Sequence, residues 1–193
     1  MLGLKLATDP RWVNIAEKQI EEILTDHAYC EQKAASTGIS LIVRYPDKTD
    51  VVEEVTAVVA EEWGHFRKVL KELKKRGYTL GAQRKDHYVS ELQKLRRKGG
   101  SRNQMLVEDL LVCAMIEARS CERFRLLSLH VADADLKEFY HEFMVSEAGH
   151  YRMFLDLACK YMPEDEVRVR WKEYLEGEAA IMRSMDLRGD RIH

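Results

Sequence analysis

The sequence has little that would break a helix and nothing that repeats every second residue. It has three prolines and ten glycines in 193 residues, and no period-two alternation lasts beyond a few residues. Sheet structure is therefore excluded, and an all-α chain is expected. The four cysteines, Cys30, Cys113, Cys121 and Cys159, are widely spaced and form no Cys-x-x-Cys pair. That disfavours a zinc knuckle, a rubredoxin-type iron centre and a thioredoxin-like site, and the thiols read as reduced, largely buried small hydrophobes on helices. Continuous apolar runs long enough to cross a bilayer are missing too, so a membrane-spanning protein and a membrane partner are excluded. The opening Met1-Leu-Gly-Leu-Lys-Leu-Ala-Thr-Asp-Pro10 is apolar over too short a run for a secretory signal, and a cytoplasmic location is expected.

What is present suits one compact domain over 1–193. Hydrophobic residues make up 46% of the chain beside 33% charged, enough to bury a core and too apolar for disorder. The net charge of −2 hides an uneven distribution. From Arg67 to Arg102 there are 13 Lys/Arg against 3 Asp/Glu, a local +10 that leaves −12 on the remainder. Such a stretch is a nucleic-acid footprint or a solvated helix-loop-helix surface.

Apolar spacing predicts four long helices. Asp9-Pro10 reads as N-cap and first helical position, and the stripe Ile20, Ile23/Leu24, His27/Ala28, Glu31, Ala34/Ala35 carries a helix over about 10–38, with Gly38 at its end. Tyr45-Pro46-Asp47-Lys48 breaks the chain. A second helix over about 50–76 follows through Val55, Val58/Val59, Glu62, Phe66, Val69 and Leu73 to Gly77. The third, about 103–130, runs through Leu106, Leu110, Glu117, Cys121 and Phe124. The fourth, about 135–161, runs through Phe139, Phe143, Glu147, His150 and Phe154 and stops before Pro163. Accessory helices are expected at about 86–97, inside the basic stretch, and at about 164–185; Lys98-Gly99-Gly100-Ser101 is the clearest flexible break. Four long helices favour a bundle with a short basic helical insert between the second and third and an additional C-terminal helix.

In each of these helices a charge falls where a core residue belongs, and the chain repeats itself around those charges. Glu61-Glu62-Trp63-Gly64-His65-Phe66-Arg67 matches Ser146-Glu147-Ala148-Gly149-His150-Tyr151-Arg152 at an offset of 85 residues. Glu31 and Glu117 lie 86 apart and precede their Glu-x-x-His by 31 and 30 residues. The pattern is two similar helix hairpins, each with one lone Glu and one Glu-x-x-His whose side chains share a face. Four carboxylates and two imidazoles form a ligand set for two iron or manganese ions, because hard oxygens offset and bridge the metal charge and no thiolate is present. Unpartnered, four core carboxylates would be costly to bury. Gly64 and Gly149 cost about 1 kcal/mol each inside a helix and are expected where a backbone or ligand comes close. His27, four residues before Glu31, reads equally as a residue supporting that ligand or as a hydrogen-bonded core histidine. Arg67 and Arg152 are expected to pair with buried carboxylates such as Glu61 or Glu122. Tyr29, Tyr151 and Trp63 are expected to be packing residues.

The ligand set Glu31, Glu62, His65, Glu117, Glu147, His150 resembles that of the ferritin-like diiron carboxylate proteins. More narrowly, Asp26-His-Ala-Tyr-Cys-Glu31-Gln-Lys-Ala-Ala-Ser36, Glu61-Glu-Trp-Gly-His-Phe66 and Ser146-Glu-Ala-Gly-His-Tyr151 resemble the bacterial diiron tRNA hydroxylases acting on 2-methylthio-N6-isopentenyladenosine beside the anticodon. The similarity runs from about Pro10 to Arg183. It implies a ferritin-like four-helix bundle in which those six residues hold two iron ions. It also implies O2 as cosubstrate, an external electron donor or reductase, and hydroxylation of the isopentenyl group. The tRNA anticodon stem-loop becomes a partner for the basic stretch: Lys68, Lys71, Lys74, Lys75 and Arg76, then Arg84, Lys85, Lys94, Arg96, Arg97, Lys98 and Arg102. A monomer is favoured slightly over an oligomer.

Other readings remain open on the residues alone. A peroxidase, a manganese catalase or a small-substrate oxidase would use the same scaffold without a basic docking surface. Iron handling or storage would use the cluster without a substrate. A metal-free bundle would keep the six residues as a polar network.

Overall fold

The structure, a computed structural model, describes residues 2–193, and every regular element among them is a helix. No helix among the described residues is long and apolar enough to cross a membrane. Two compact units are present, one of residues 10–85 with 188–192, the other of residues 2–9 and 86–187 with His193.

The first unit is a helical hairpin. A short helix, α1 (Arg11–Ala16), passes through a 3-10 turn (Glu17–Gln19) into α2 (Ile20–Arg44), and α3 (Thr49–Lys75) returns along it. The single helix expected over 10–38 is thus interrupted at Gln19, whose backbone (φ −132°, ψ 43°) leaves the helical region. This lets Trp12 and Ala16 be buried in a register separate from the α2 stripe. At its other end α2 runs six residues past Gly38. That glycine is no helix stop: a Cβ there would lie 2.5 Å from Val59 Cγ2 and 3.2 Å from Val55 Cγ1, so it marks where α3 comes against α2. Gly77, by contrast, does end a helix. At φ +77° it allows Gly77 N to donate to the Lys74 carbonyl and Tyr78 N to the Leu73 carbonyl, closing α3 with a Schellman motif.

Residues 81–84 and 188–192 are tied to one side of α2. Arg84 donates to the carbonyls of Glu22 (3.0 Å) and Asp190 (2.9 Å), Ile192 N to Asp26 Oδ2 (2.8 Å), and Tyr29 Oη to the Gly81 carbonyl (2.9 Å).

The second unit pairs α5 (Arg102–His130) with α6 (Ala134–Tyr161) and adds α4 (His87–Leu92), a 3-10 turn (Gln93–Leu95) and α7 (Glu164–Ser184). The starts are set by local chemistry. Ser101 and Gln104 form a reciprocal capping box on α5, Asp133 accepts from Asp135 N and Leu136 N on α6, and Asp86 caps α4. Between α5 and α6 the apolar core is aromatic, with Phe124 against Tyr140 and Phe143 at 5.6 and 5.7 Å.

Helix α5 is buried nearly all round, charged residues included. Arg119, with no exposed surface, donates to Glu178 (2.8 Å) and the Leu6 carbonyl (3.0 Å) and also pairs with Glu122, which accepts from Thr8 N and Thr8 Oγ1. Glu108 accepts from Arg170 (2.6 and 2.8 Å), Tyr174 Oη (2.7 Å) and Arg97 N (3.1 Å). Burial alone would raise the Glu108 carboxyl. The hydrogen bonds from Arg170, Tyr174 and Arg97 outweigh burial and hold it below the usual carboxylate range.

Gly64 and Gly149 differ from expectation. A Cβ at either would meet nothing within 4 Å, so no part of the described protein approaches them. Thermal unfolding should accordingly show Gly64→Ala and Gly149→Ala each stabilised by about 1 kcal/mol, whereas Gly38→Ala should lose about 1–3 kcal/mol to overpacking. Glu108, with a lowered folded pKa, stabilises the fold above the unfolded carboxyl value of about 4.3. That contribution is lost as pH falls through the lower folded value. Glu108→Gln should lower the melting temperature at neutral pH and flatten its decline on acidification below about pH 4. An unchanged acid profile would show that Glu108 does not act in this way.

Candidate metal centre

Each unit brings together three of the six expected ligands. In the first, α2 supplies Glu31 and α3 supplies Glu62 and His65, three residues apart on one face. One donor atom from each lies within 4.8 Å of the others. His65 Nδ1 is 3.3 Å from Glu31 Oε2 and 3.5 Å from Glu62 Oε2. The other Glu31 oxygen, Oε1, is 2.7 Å from His27 Nε2. His27 has no exposed surface, so the imidazole is a hydrogen-bonded core histidine that also fixes the carboxylate.

In the second unit, α5 supplies Glu117 and α6 supplies Glu147 and His150, again with one donor atom each within 4.8 Å of the others. His150 Nδ1 is 3.9 Å from Glu147 Oε2. Glu31, Glu62, Glu117, Glu147 and His150 are all buried, and His65 is the most accessible of the six.

The donor chemistry fits a hard metal ion. Two carboxylates and an imidazole converge in each unit at a depth where carboxylates alone would be costly. Cys121, one turn after Glu117, does not alter that set. Its thiol is pushed up to about 12, first by burial and then by the charge of Glu117, and it donates to the Met144 carbonyl at 3.2 Å. It therefore stays protonated at neutral pH and offers no thiolate. The two halves differ at one supporting position. By the 86-residue offset the counterpart of His27 is Cys113, which is buried.

The remaining expected residues divide. Arg67 and Arg152 are exposed, and Glu122, suggested as a partner for such an arginine, is held by Arg119 and Thr8. In the basic stretch, Lys68, Lys71, Lys74, Lys85, Lys98 and Arg102 are exposed. Arg76 and Lys75 turn to Glu72, Arg84 to Glu22 and Asp190, Lys94 to Glu91, Arg96 to Asp109 and Arg97 to Glu173. Part of the local +10 is thus offset within the chain. In the second unit a cleft of about 450 Å³ is bordered by Lys98, Gly100, Gln104, Met162, Glu166 and Arg170 among others.

Sequence reasoning missed two features. One is the burial of Arg119, which has no exposed surface and pairs with Glu122, itself buried as expected; the small and apolar residues around it, Ala114, Met115, Ala118 and Cys121, were the available signal. Trp63 is not a packing residue: it is 49% exposed, its indole resting against Phe66 at 5.0 Å.

Comparison with known proteins converges on one family. The model of the family described as "tRNA-(MS[2]IO[6]A)-hydroxylase (MiaE)" matches residues 2–193. The tRNA 2-(methylsulfanyl)-N(6)-isopentenyladenosine(37) hydroxylase of Pseudomonas putida is 40% identical over 160 residues, covering 83% of this chain and 77% of that protein. The hydroxylase of the same name from Salmonella typhimurium is 28% identical over 240 aligned positions, covering 98% and 87%. Among solved structures, "Protein 43 with aldehyde deformylating oxygenase activity from Synechococcus" superposes with a TM-score of 0.92 at 32% identity, covering 98% of this chain and 94% of that one. The all-α fold is therefore of the ferritin-like helix-bundle class with an insert helix and a C-terminal helix. Since the family model spans every described residue, the chain belongs to the tRNA-(MS[2]IO[6]A)-hydroxylase (MiaE) family.

Proposed function

We propose that this chain is an O2-dependent diiron hydroxylase that adds one oxygen atom to the isopentenyl group of 2-methylthio-N6-isopentenyladenosine in tRNA. The observation that carries the reading is the pair of buried Glu/Glu/His triads, one in each unit, in a chain of the hydroxylase family. Glu31, Glu62 and His65 with Glu117, Glu147 and His150 would hold the two ions. Bound iron would supply the oxygen activation that an alkyl C–H bond requires and that no side chain provides.

The chain's own residues set the conditions for that chemistry. His27 holds one oxygen of Glu31 and leaves the other facing His65, so the carboxylate has one orientation. Burial of the five deepest ligands excludes bulk water from their donor atoms. The Cys121 thiol, pushed up by burial, donates to the Met144 carbonyl. In balance, one C–H bond and O2 become C–OH and water, with two electrons and two protons from outside the substrate. The electrons come from a separate reductase or ferredoxin-like protein, since the chain has no Cys-x-x-Cys pair for a redox centre of its own. The exposed lysines of the basic stretch are the proposed tRNA contacts.

The Synechococcus protein's described activity favours one second reading, an oxygenase acting on a small aldehyde. Both are tested by giving the reduced, iron-loaded protein O2 with either methylthio-isopentenyl tRNA or an aldehyde. Gain of one oxygen mass on that nucleoside alone supports the hydroxylase. Aldehyde consumption without nucleoside change supports the alternative.

Metal analysis should find two iron or manganese ions per chain. Glu117→Ala with His150→Ala should lower that content by about half or more, and full retention would remove those residues from the site. His27→Ala should weaken metal binding or turnover by about 10–100-fold, read by competition with a chelator and by single-turnover assay. His27→Gln, which can still hydrogen-bond Glu31, should recover part of the loss.

A further inference from the structure

Trp63 stands out as a large aromatic side chain left half in solvent between two expected metal ligands, Glu62 and His65. Its indole is steadied from one side by Phe66, three residues on, at 5.0 Å between ring centres. About half of its surface, 49%, is open, and Gly64 beside it adds no side chain and meets nothing within 4 Å. An exposed tryptophan held at a fixed angle on a helix is a stacking surface.

The residues in line with it are cationic. At 3.6 residues per turn, positions 63, 67, 71 and 74 fall within about 80° of arc and span about 16 Å along α3. They are Trp63, Arg67, Lys71 and Lys74, all exposed. The neighbouring Lys75 and Arg76 instead turn to Glu72, whose position lies outside that arc. Between Thr56 and Lys74 the arc carries no carboxylate. The centre of the stripe lies roughly 140–160° around the helix from Glu62 and His65, so the cationic face is turned away from the ligand face on the same rigid element.

We infer that this face of α3 docks single-stranded RNA, with a nucleobase stacked on Trp63 and phosphates along Arg67, Lys71 and Lys74. The combination suits RNA chemically: a π-face takes any base, and a row of cations follows a polyanion. Arg67 thereby acquires a role on the surface in place of the expected pairing with a buried carboxylate. The inference rests on the tRNA hydroxylase reading and specifies a face of α3 on which part of the RNA other than the modified base is held.

The test uses the metal-loaded full chain and a fluorescently labelled anticodon stem-loop carrying methylthio-isopentenyladenosine, with affinity read by anisotropy across a salt series. Trp63→Ala should weaken binding on the order of 10- to 100-fold with its salt slope unchanged, and Trp63→Phe should stay within a few-fold of the parent. Arg67→Gln, Lys71→Gln and Lys74→Gln together should reduce the slope by about 2, at about 0.7 per single-strand phosphate. Metal content and melting temperature of each variant must match the parent for the affinities to count. For Trp63 a second variant, Trp63→His, keeps an aromatic face if the alanine protein does not fold, and should bind between the phenylalanine and alanine levels.

Parent-like affinity in a folded Trp63→Ala protein, with the parent binding the stem-loop, overturns the inference and leaves the hydroxylase reading standing. A parent that binds no stem-loop removes both. Unchanged RNA affinity with turnover lost only when a protein electron donor is used assigns the face to that protein instead.

Discussion

Each hairpin of this protein must keep two carboxylates and one imidazole together out of water. A buried carboxylate without a counter-charge is among the costliest things a fold can contain, so the surrounding elements have to hold these groups at close range. Long helices meet that need. A Glu and a His three residues apart on one helix share a face by geometry alone, and the lone Glu of the neighbouring helix completes the set. In the first unit the helix separation is set nearby. Gly38 admits Val55 and Val59 against α2, and Val59 lies one turn before Glu62.

The site was legible in the sequence because it is written twice. The 85-residue match around His65 and His150, and the equal separation of Glu31 from Glu117, select six residues out of 33 acids and seven histidines. The end of the fourth helix before Pro163 was equally legible, whereas the caps at Ser101 and Asp133 became visible only in the structure. Where residues serve more than one purpose, local reading failed. Gly38 has the look of a helix end but is a point of close packing, and Gly64 and Gly149 have the look of close packing but face open space. The burial of Arg119 was not legible because spacing reports which residues share a face. It does not report that α5 has neighbours on every side; that follows from where residues 2–9 and α7 are placed, which no local pattern encodes. Burial of Trp63 failed for the opposite reason, since an aromatic residue within an apolar helix is ordinarily inside.

The two triads share a donor set but not a setting. Glu31 has the His27 imidazole on one oxygen, while the corresponding place beside Glu117 belongs to a cysteine, Cys113, and the following turn to the protonated Cys121. The imidazole on Glu31 restricts how that carboxylate can turn. The two halves thus share their candidate ligand types and differ in the residues one turn before the lone Glu, His27 in one and Cys113 in the other.

The second unit also fixes an order of events during synthesis. Thr8 bonds to Glu122, 114 residues later, and Arg119 to the Leu6 carbonyl. At ribosomal rates of about 5–20 residues per second, the opening segment of polypeptide waits roughly 6–23 s for its partners to be made. Glu178, the other carboxylate on Arg119, comes later still. The α2–α3 hairpin meets no such delay between its helices, though Arg84 and Asp26 wait for residues 190 and 192. Glu31, Glu62 and His65 can therefore be assembled on the nascent chain while Glu147 and His150 are still untranslated.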